Sequence, residues 1–338
     1  DTGVRSASEN MALDEAILEA RSRGLVPNTV RLLQFSPEAV LVGYHQSVEQ
    51  EVRLSYCESE GIDVNRRITG GGAIYFDKTQ LGWELIASKD DLGVSVASGA
   101  LFGSICEAVV RALRKLGLTA EFRPKNDIEI GGRKISGTGG TEVAGAFLFQ
   151  GTLLVDFDVE RMLRALKIPT EKLKDKEVDS VRERVTCLKW ELGCTPPLEE
   201  LKSAIRDGFE ETFMVKLLDS GLTGPEKSLF QEKLRRFSSP DWIHKVRQDP
   251  GEQQILRSAH KTEGGLIRVS LALNLKEKSI RSILITGDFF AFPKRTIYDL
   301  EAALRNARAD MDEIERAVFL FFNHREAVIP GVTPSDFV

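Results

Sequence analysis

Asn126-Asp127-Ile128-Glu129-Ile130-Gly131-Gly132-Arg133-Lys134-Ile135-Ser136-Gly137 alternates apolar and polar residues on either side of a Gly-Gly pair, a strong signal for a two-residue β-hairpin. A turn at that pair sets Ile130 opposite Arg133, Glu129 opposite Lys134, Ile128 opposite Ile135 and Asp127 opposite Ser136, and opposed residues share one side of the ribbon. Ile128 and Ile135 then mark the buried side. Asp127, Glu129, Lys134 and Ser136 gather on the other, with a carboxylate and an ammonium flanking one space. Such a pair suits a Mg²⁺-bound phosphate chain, the carboxylate on the metal and the lysine on the α-phosphate. It equally suits a solvated hairpin with a Glu129–Lys134 ion pair worth at most about 1 kcal/mol.

The strands of the stretch 126–156 follow one another too quickly for crossover helices, which predicts an α+β domain rather than a doubly wound one. Upstream, Ser6 and Glu9 form a capping box before Leu13, Ala16, Ile17 and Ala20 at helical spacing. Strand-like runs 29–35 and 39–43 are parted by Ser36-Pro37 and read as antiparallel neighbours. The chain opens at Asp1 just before the helix signal, so a preceding segment, with a first strand, is expected. Runs 73–76 and 83–87 read as strands, and 101–116 as a helix. Residues 170–184 are highly charged and aperiodic, the pattern of a surface loop.

A helix over 198–213 leads to a polar connection and a domain boundary near residue 245. Beyond it Ile267, Val269, Leu271, Leu273 and Leu275 alternate strictly, a second strand covers 280–286, and two helices follow, the last capped by Asp310. The expected organisation is a domain over 1–245, connection included, and a small α+β domain over 246–338.

With 338 residues, 42% of them hydrophobic, the chain can bury a large core, and a net charge of −5 supplies no basic field for nucleic acid. No apolar run approaches the ~20 residues that cross a bilayer, so no membrane role is expected. Cys57, Cys106, Cys187 and Cys194 match neither a zinc motif nor a disulfide framework, which fits a reducing cytoplasm and predicts no structural metal.

Two further clusters concern ligands. Arg66-Arg67-Ile68-Thr69-Gly70-Gly71-Gly72-Ala73 sets two arginine forks before three glycines whose amides can approach a ligand closely. Gly137, Gly139 and Gly140 follow Lys134 and would border the same cleft. Each cluster alone also reads as a flexible turn.

Together, RRITGGGAIYFD (66–77), Asn126-Asp127-Ile128, GRKISG (132–137), GTLL (151–154) and SVRERVTCL (180–188) resemble the lipoate-protein ligases in order and separation. The resemblance covers residues 8 to about 215 well, and the rest more loosely. It implies a biotin/lipoate ligase-like catalytic domain of mixed, largely antiparallel sheets flanked by helices, with a small α+β accessory domain from about 246. It implies that lipoate or octanoate is adenylated with ATP and Mg²⁺. The acyl group then passes to a lysine of a carrier: an E2 subunit, a glycine cleavage H protein or a dedicated lipoate-binding protein.

By the same resemblance Lys134 is the essential lysine, and Asn126 and Asp127 hold ATP and its Mg²⁺. Arg67, Thr69, Gly71, Gly72, Ala73, Ser136, Gly137 and Gln150 belong to the lipoate and nucleotide pocket, and residues 171–180 form a closing adenylate loop. His45 is a candidate for the acyl pocket and, as readily, a structural histidine.

Phe76 and Gln150 stand where histidine is frequent in the family, and are expected to alter the pocket or its preference rather than the reaction. A large rate gain in Phe76→His or Gln150→His at unchanged preference would overturn that. The nearest alternative is an octanoyltransferase of the same superfamily, which needs a cysteine nucleophile near the cleft; the residues before the hairpin, 121–125, contain none. A biotin-protein ligase lacks support in the Arg66–Ala73 loop, and a noncatalytic lipoate-binding or lipoyl-domain-binding protein would bind without forming AMP.

Overall fold

Strand β6 (Leu81–Ser88) is buried from Leu81 through Ala87 on both of its faces, which makes it a central strand rather than an edge. It lies inside a seven-stranded sheet ordered β1 (Val4–Arg5), β2 (Thr29–Phe35), β6, β10 (Ala146–Leu153), β9 (Arg133–Val143), β8 (Asp127–Ile130), β7 (Ala120–Arg123). Only β1–β2 is parallel; every other neighbouring pair of this sheet is antiparallel. The computed structural model describes residues 1–92, 99–123, 127–167, 175–246 and 255–338.

Alternation along β6 divides two cores. Leu81, Trp83, Leu85 and Ala87 pack with helices α2 (Gly99–Lys115) and α3 (Leu198–Phe213). Ile86 faces the opposite side, with α1 (Ala7–Ser22) and α4 (Gly224–Phe237). The capping box read at Ser6 and Glu9 is present, and a second one, Thr223 with Glu226, starts α4. A smaller sheet of β4 (Asp63–Arg66), β3 (Ala39–Val42) and β5 (Ile74–Phe76) lies in the same half of the chain.

The runs at 29–35 and 39–43 are therefore not antiparallel neighbours. β2 pairs with β1 and β6, whereas β3 joins the other sheet, parallel to β4 and antiparallel to β5. All four residues of β3 are buried, which requires neighbours on both edges and cover on both faces. A turn residue such as Pro37 marks the chain reversal but does not say which sheet receives it. The charged stretch 170–184 also differs from a plain loop: Asp175–Arg182 is a helix, with Val178 and Val181 packed against the cluster around Val40, Val42 and Leu163. Two valines three residues apart supply its single apolar contact face.

Past residue 254, β11 (Ile255–Thr262), β12 (Gly265–Asn274) and β13 (Ser279–Gly287) form a three-stranded antiparallel meander. It packs with α5 (Thr296–Leu304) and α6 (Met311–Asn323) around a core of its own that includes Ile267, Ile285, Phe289, Leu300 and Val318. No helix among the described residues is long and apolar enough to cross a membrane.

Candidate active site

The hairpin β8–β9 keeps Ile130 opposite Arg133 and Glu129 opposite Lys134, then slips: Ile128 faces Ser136, not Ile135, and Asp127 faces Gly137, not Ser136. One extra residue on one strand is a β-bulge, which bends that strand and re-aims its side chains. The unpaired residue is Ile135, and Ile128, Ile135 and Ser136 all remain fully enclosed around the slip. The slip leaves Lys134 Nζ 2.7 Å from Asp127 Oδ1, with the two side chains 36% and 25% exposed.

Residues 184–186 hold the lysine from behind. The Lys134 N–H donates to the Arg184 carbonyl at 2.8 Å, and the Thr186 N–H donates to the Lys134 carbonyl at 2.8 Å. The sequence stretch SVRERVTCL thus extends the sheet beside Lys134 as a parallel bridge. Arg133 donates to Glu191 at 2.6 Å and ties the following helix to the hairpin.

Gly137 explains where the lysine points. A Cβ at that position would fall 2.6 Å from Lys134 Cε and 2.7 Å from Nζ, so any side chain there would expel the ammonium group. With glycine the lysine lies across the strand at the wall of a cavity of about 190 Å³. The cavity is bounded by Arg67, Thr69, Gly70 to Ala73, Lys134, Gly137 to Gly139, Gln150 and Thr152, and on its apolar side by Met11, Leu33, Phe35, Leu41, Ile74 and Phe76. Gln150 Nε2 lies 3.3 Å from Thr69 Oγ1 and bridges the β10 wall to the glycine loop.

Arg66 ends β4 and Arg67 carries on its line, its N–H donating to the Val42 carbonyl at 2.9 Å, so the two successive side chains face opposite sides. Arg67 is turned to the cavity and buried; its guanidinium donates to the carbonyls of Leu41, Gly70 and Gly72 at 2.6, 3.2 and 2.8 Å. It shapes the glycine loop through carbonyls rather than a carboxylate, and burial pulls its pKa down to about 10. Arg66 points away from the cavity. It donates to the carbonyls of Gly43, Tyr44 and Gln46, and to those of Trp242 and Ile243. Only one of the two expected forks therefore borders the cleft.

His45 does not line the cavity. Its ring stacks on Phe289 at 5.4 Å, and burial, ahead of the charges of Arg66, Lys245 and Lys294, lowers its pKa to about 3, so it stays neutral. Ser136 and Asp127 lie next to lining residues without lining the cavity themselves. Asn126 and residues 171–174 fall outside the described residues. No group of three or more His, Cys, Asp or Glu side chains is placed to hold a metal among the described residues.

One wall has no counterpart in the motifs. Glu84 lines the cavity and belongs to an enclosed cluster in which Arg31 Nη1 donates to Asp14 at 2.6 Å and to Glu84 at 2.9 Å, and Nη2 donates to Asn10 at 2.7 Å. All four residues are no more than 2% exposed. Burial, reinforced by Asp14, pushes the Glu84 carboxyl well above the usual carboxylate range. Gly82 and Glu84, alternating with buried Trp83 and Leu85, were the available signal. Local spacing does not say which face of a fully buried strand borders a cavity.

Among the described residues no cysteine borders the cavity. Cys57, Cys106 and Cys187 are buried and Cys194 is exposed. Burial pushes the Cys106 and Cys57 thiols up to about 12 and about 11, away from the thiolate that a nucleophile needs.

Residues 6–210 match the lipoyl protein ligase A/B catalytic domain. The chain belongs to this family. Lipoate–protein ligase 1 of Staphylococcus aureus is 32% identical over 94% of this chain and 92% of its own length. The octanoyltransferase LipM of Kyrpidia tusciae is 28% identical over 72% of this chain and 97% of its own. A solved lipoate-protein ligase A bound with ATP is 30% identical, with a TM-score of 0.62 over 73% of this chain and all (100%) of that one. This member of the family thus has the α+β, biotin/lipoate ligase-like fold, and its relatives include both ligases and acyltransferases.

Proposed function

We propose that this member of the family is an ATP-dependent lipoate–protein ligase, which activates lipoate or octanoate as the acyl adenylate and passes the acyl group to a lysine of a lipoyl carrier domain. The observation that carries the reading is Lys134, laid over Gly137 at one wall of a half-apolar cavity whose described lining contains no thiol. An acyltransferase working through a cysteine needs a nucleophile where this cavity offers an ammonium.

The carboxylate of the acid would sit near Lys134, and its chain over the apolar side. Lys134 donates hydrogen bonds toward the α-phosphate as negative charge builds there during displacement of pyrophosphate. The Arg67-braced glycine loop supplies amides and a positive field against the same groups. Asp127, a single carboxylate beside Lys134, fits an ion that arrives on the nucleotide, because Mg²⁺ commonly takes one or two protein carboxylates and fills its shell with phosphate and water oxygens. That ion would neutralise the phosphate oxygens. Residues 246–338 would form the accessory domain, and the carrier would be an E2 subunit, a glycine cleavage H protein or a dedicated lipoate-binding protein.

The test is pyrophosphate release with ATP, Mg²⁺ and lipoate or octanoate, followed by acyl transfer to an unmodified lipoyl domain, for wild type and Lys134→Ala. Acid-dependent release that disappears in the variant supports the ligase. Transfer from an octanoylated carrier without ATP would move the protein to the acyltransferase branch.

A further inference from the structure

Strand register lays out a straight track across the large sheet. Gly137 on β9 faces Thr152 on β10, Thr152 faces Gly82 on β6, and Gly82 faces Leu33 on β2. All four residues border the cavity. Lys134 rests on the first of them, so the track starts where the acid's carboxylate is activated. Thr152 and the glycines keep its floor low.

The track ends abruptly. A Cβ at Gly82 would meet Leu33 Cγ at 2.8 Å, Leu33 Cδ2 at 3.0 Å and Phe76 Cζ at 3.3 Å. Two large apolar side chains, one from each sheet, thus converge over the same glycine and close the passage. From Gly137 to Gly82 are two steps between neighbouring strands, roughly 10 Å at the usual spacing, about the reach of an extended eight-carbon acid. The parallel track two residues along, Gly139, Gln150, Glu84 and Arg31, is polar and runs into the enclosed ion cluster, so an alkyl chain is confined to the first.

We propose that Leu33 and Phe76, seated over Gly82, are the end stop that sets the length of the acid this protein accepts. The inference rests on the acid-activating reading above and adds a specificity element to it. Phe76 acts here as a wall, and Gly82 acts by leaving room for Leu33 to lie flat. A Cβ at Gly82 would itself occupy the far end of the track, in front of Leu33 and Phe76, and shorten it, whereas trimming Phe76 lengthens it.

The experiment measures kcat/KM for Mg²⁺–ATP-dependent pyrophosphate release by the full chain with straight saturated acids of six, eight, ten and twelve carbons. Wild type should peak at eight. Phe76→Ala should raise the ten-to-eight-carbon ratio by about tenfold or more, and Gly82→Ala should raise the six-to-eight-carbon ratio similarly, since one methylene in an apolar pocket is worth about 10- to 200-fold. Phe76→Leu serves if the alanine variant does not fold. Equal profiles for wild type and folded variants overturn the end stop. If wild type activates none of the acids, the ligase reading fails instead, and isothermal titration of the same acids against the same variants decides the end stop by the order of their affinities.

Discussion

Two charge clusters sit along the same sheet and are built in opposite ways. Asp14, Arg31 and Glu84 are no more than 2% exposed, and Arg31 is bonded on both Nη atoms. Lys134 and Asp127 share one contact of 2.7 Å at 36% and 25% exposure. The first cluster joins α1, β2 and β6, so its geometry is part of the fold. The second is a single half-buried contact at the cavity edge that a ligand can exchange, at a cost of about 1 kcal/mol if it behaves as a pair open to solvent. Enclosure suits a scaffold, and exchangeability suits a site that has to take up a substrate.

The contrast breaks most readily at Arg31. Arg31→Met strands Asp14 and Glu84 in the core, and urea unfolding should show a loss of about 3–5 kcal/mol; a loss under about 1 kcal/mol would mean the cluster is not the scaffold. Lys134→Ala should reverse the pattern. Acid-dependent pyrophosphate release should fall by about 10²- to 10³-fold, while stability moves by no more than about 1 kcal/mol. A large drop in stability for this variant would erase the distinction.

A third change sharpens it through pH. The Glu84 carboxyl is raised in the fold by burial and then by Asp14, so the folded state binds its proton more tightly than the unfolded chain does. Its contribution is fully present below the ordinary value of 4.5 and is lost as pH climbs from there through the raised value, by about 1.4 kcal/mol for each pH step of one over that interval. Glu84→Gln should therefore flatten the fall in Tm between pH 5 and pH 8, and an unchanged slope would assign that fall to other groups. The smallest effect belongs to Asp127→Asn. It should leave stability within about 1 kcal/mol and raise the KM for Mg²⁺–ATP, whereas an unaltered KM would remove Asp127 from the nucleotide site.

These clusters also mark what the sequence made legible. The hairpin turn, the α1 capping box, the glycine loop and Lys134 are local patterns, and each is where it was expected. The bulge at Ile128/Glu129 was not legible, because the Gly-Gly turn sets only the first two pairs of the hairpin and nothing in the alternation marks where the register slips. Nor were the parting of β2 from β3, which depends on which sheet each strand joins, and the choice of Arg67 over Arg66 for the cleft, since alternation separates the two without saying which side borders the cavity. The far wall was hidden for the same reason: Leu33, Phe76, Gly82 and Thr152 meet only through long-range strand pairing. Family resemblance pointed to the lysine and the glycines, but the track from Gly137 to Leu33 exists only in the register.

The uneven placement of the four cysteines gives the protein its own unfolding clock. Cys194 alone is exposed, while Cys57, Cys106 and Cys187 are sealed into cores beside different elements. A thiol reagent should mark one site per native molecule at once and three more only as those cores open. Peptide mapping of labelled chains would then time the opening around Cys106, under the large sheet, against that around Cys57 and Cys187, under the small one.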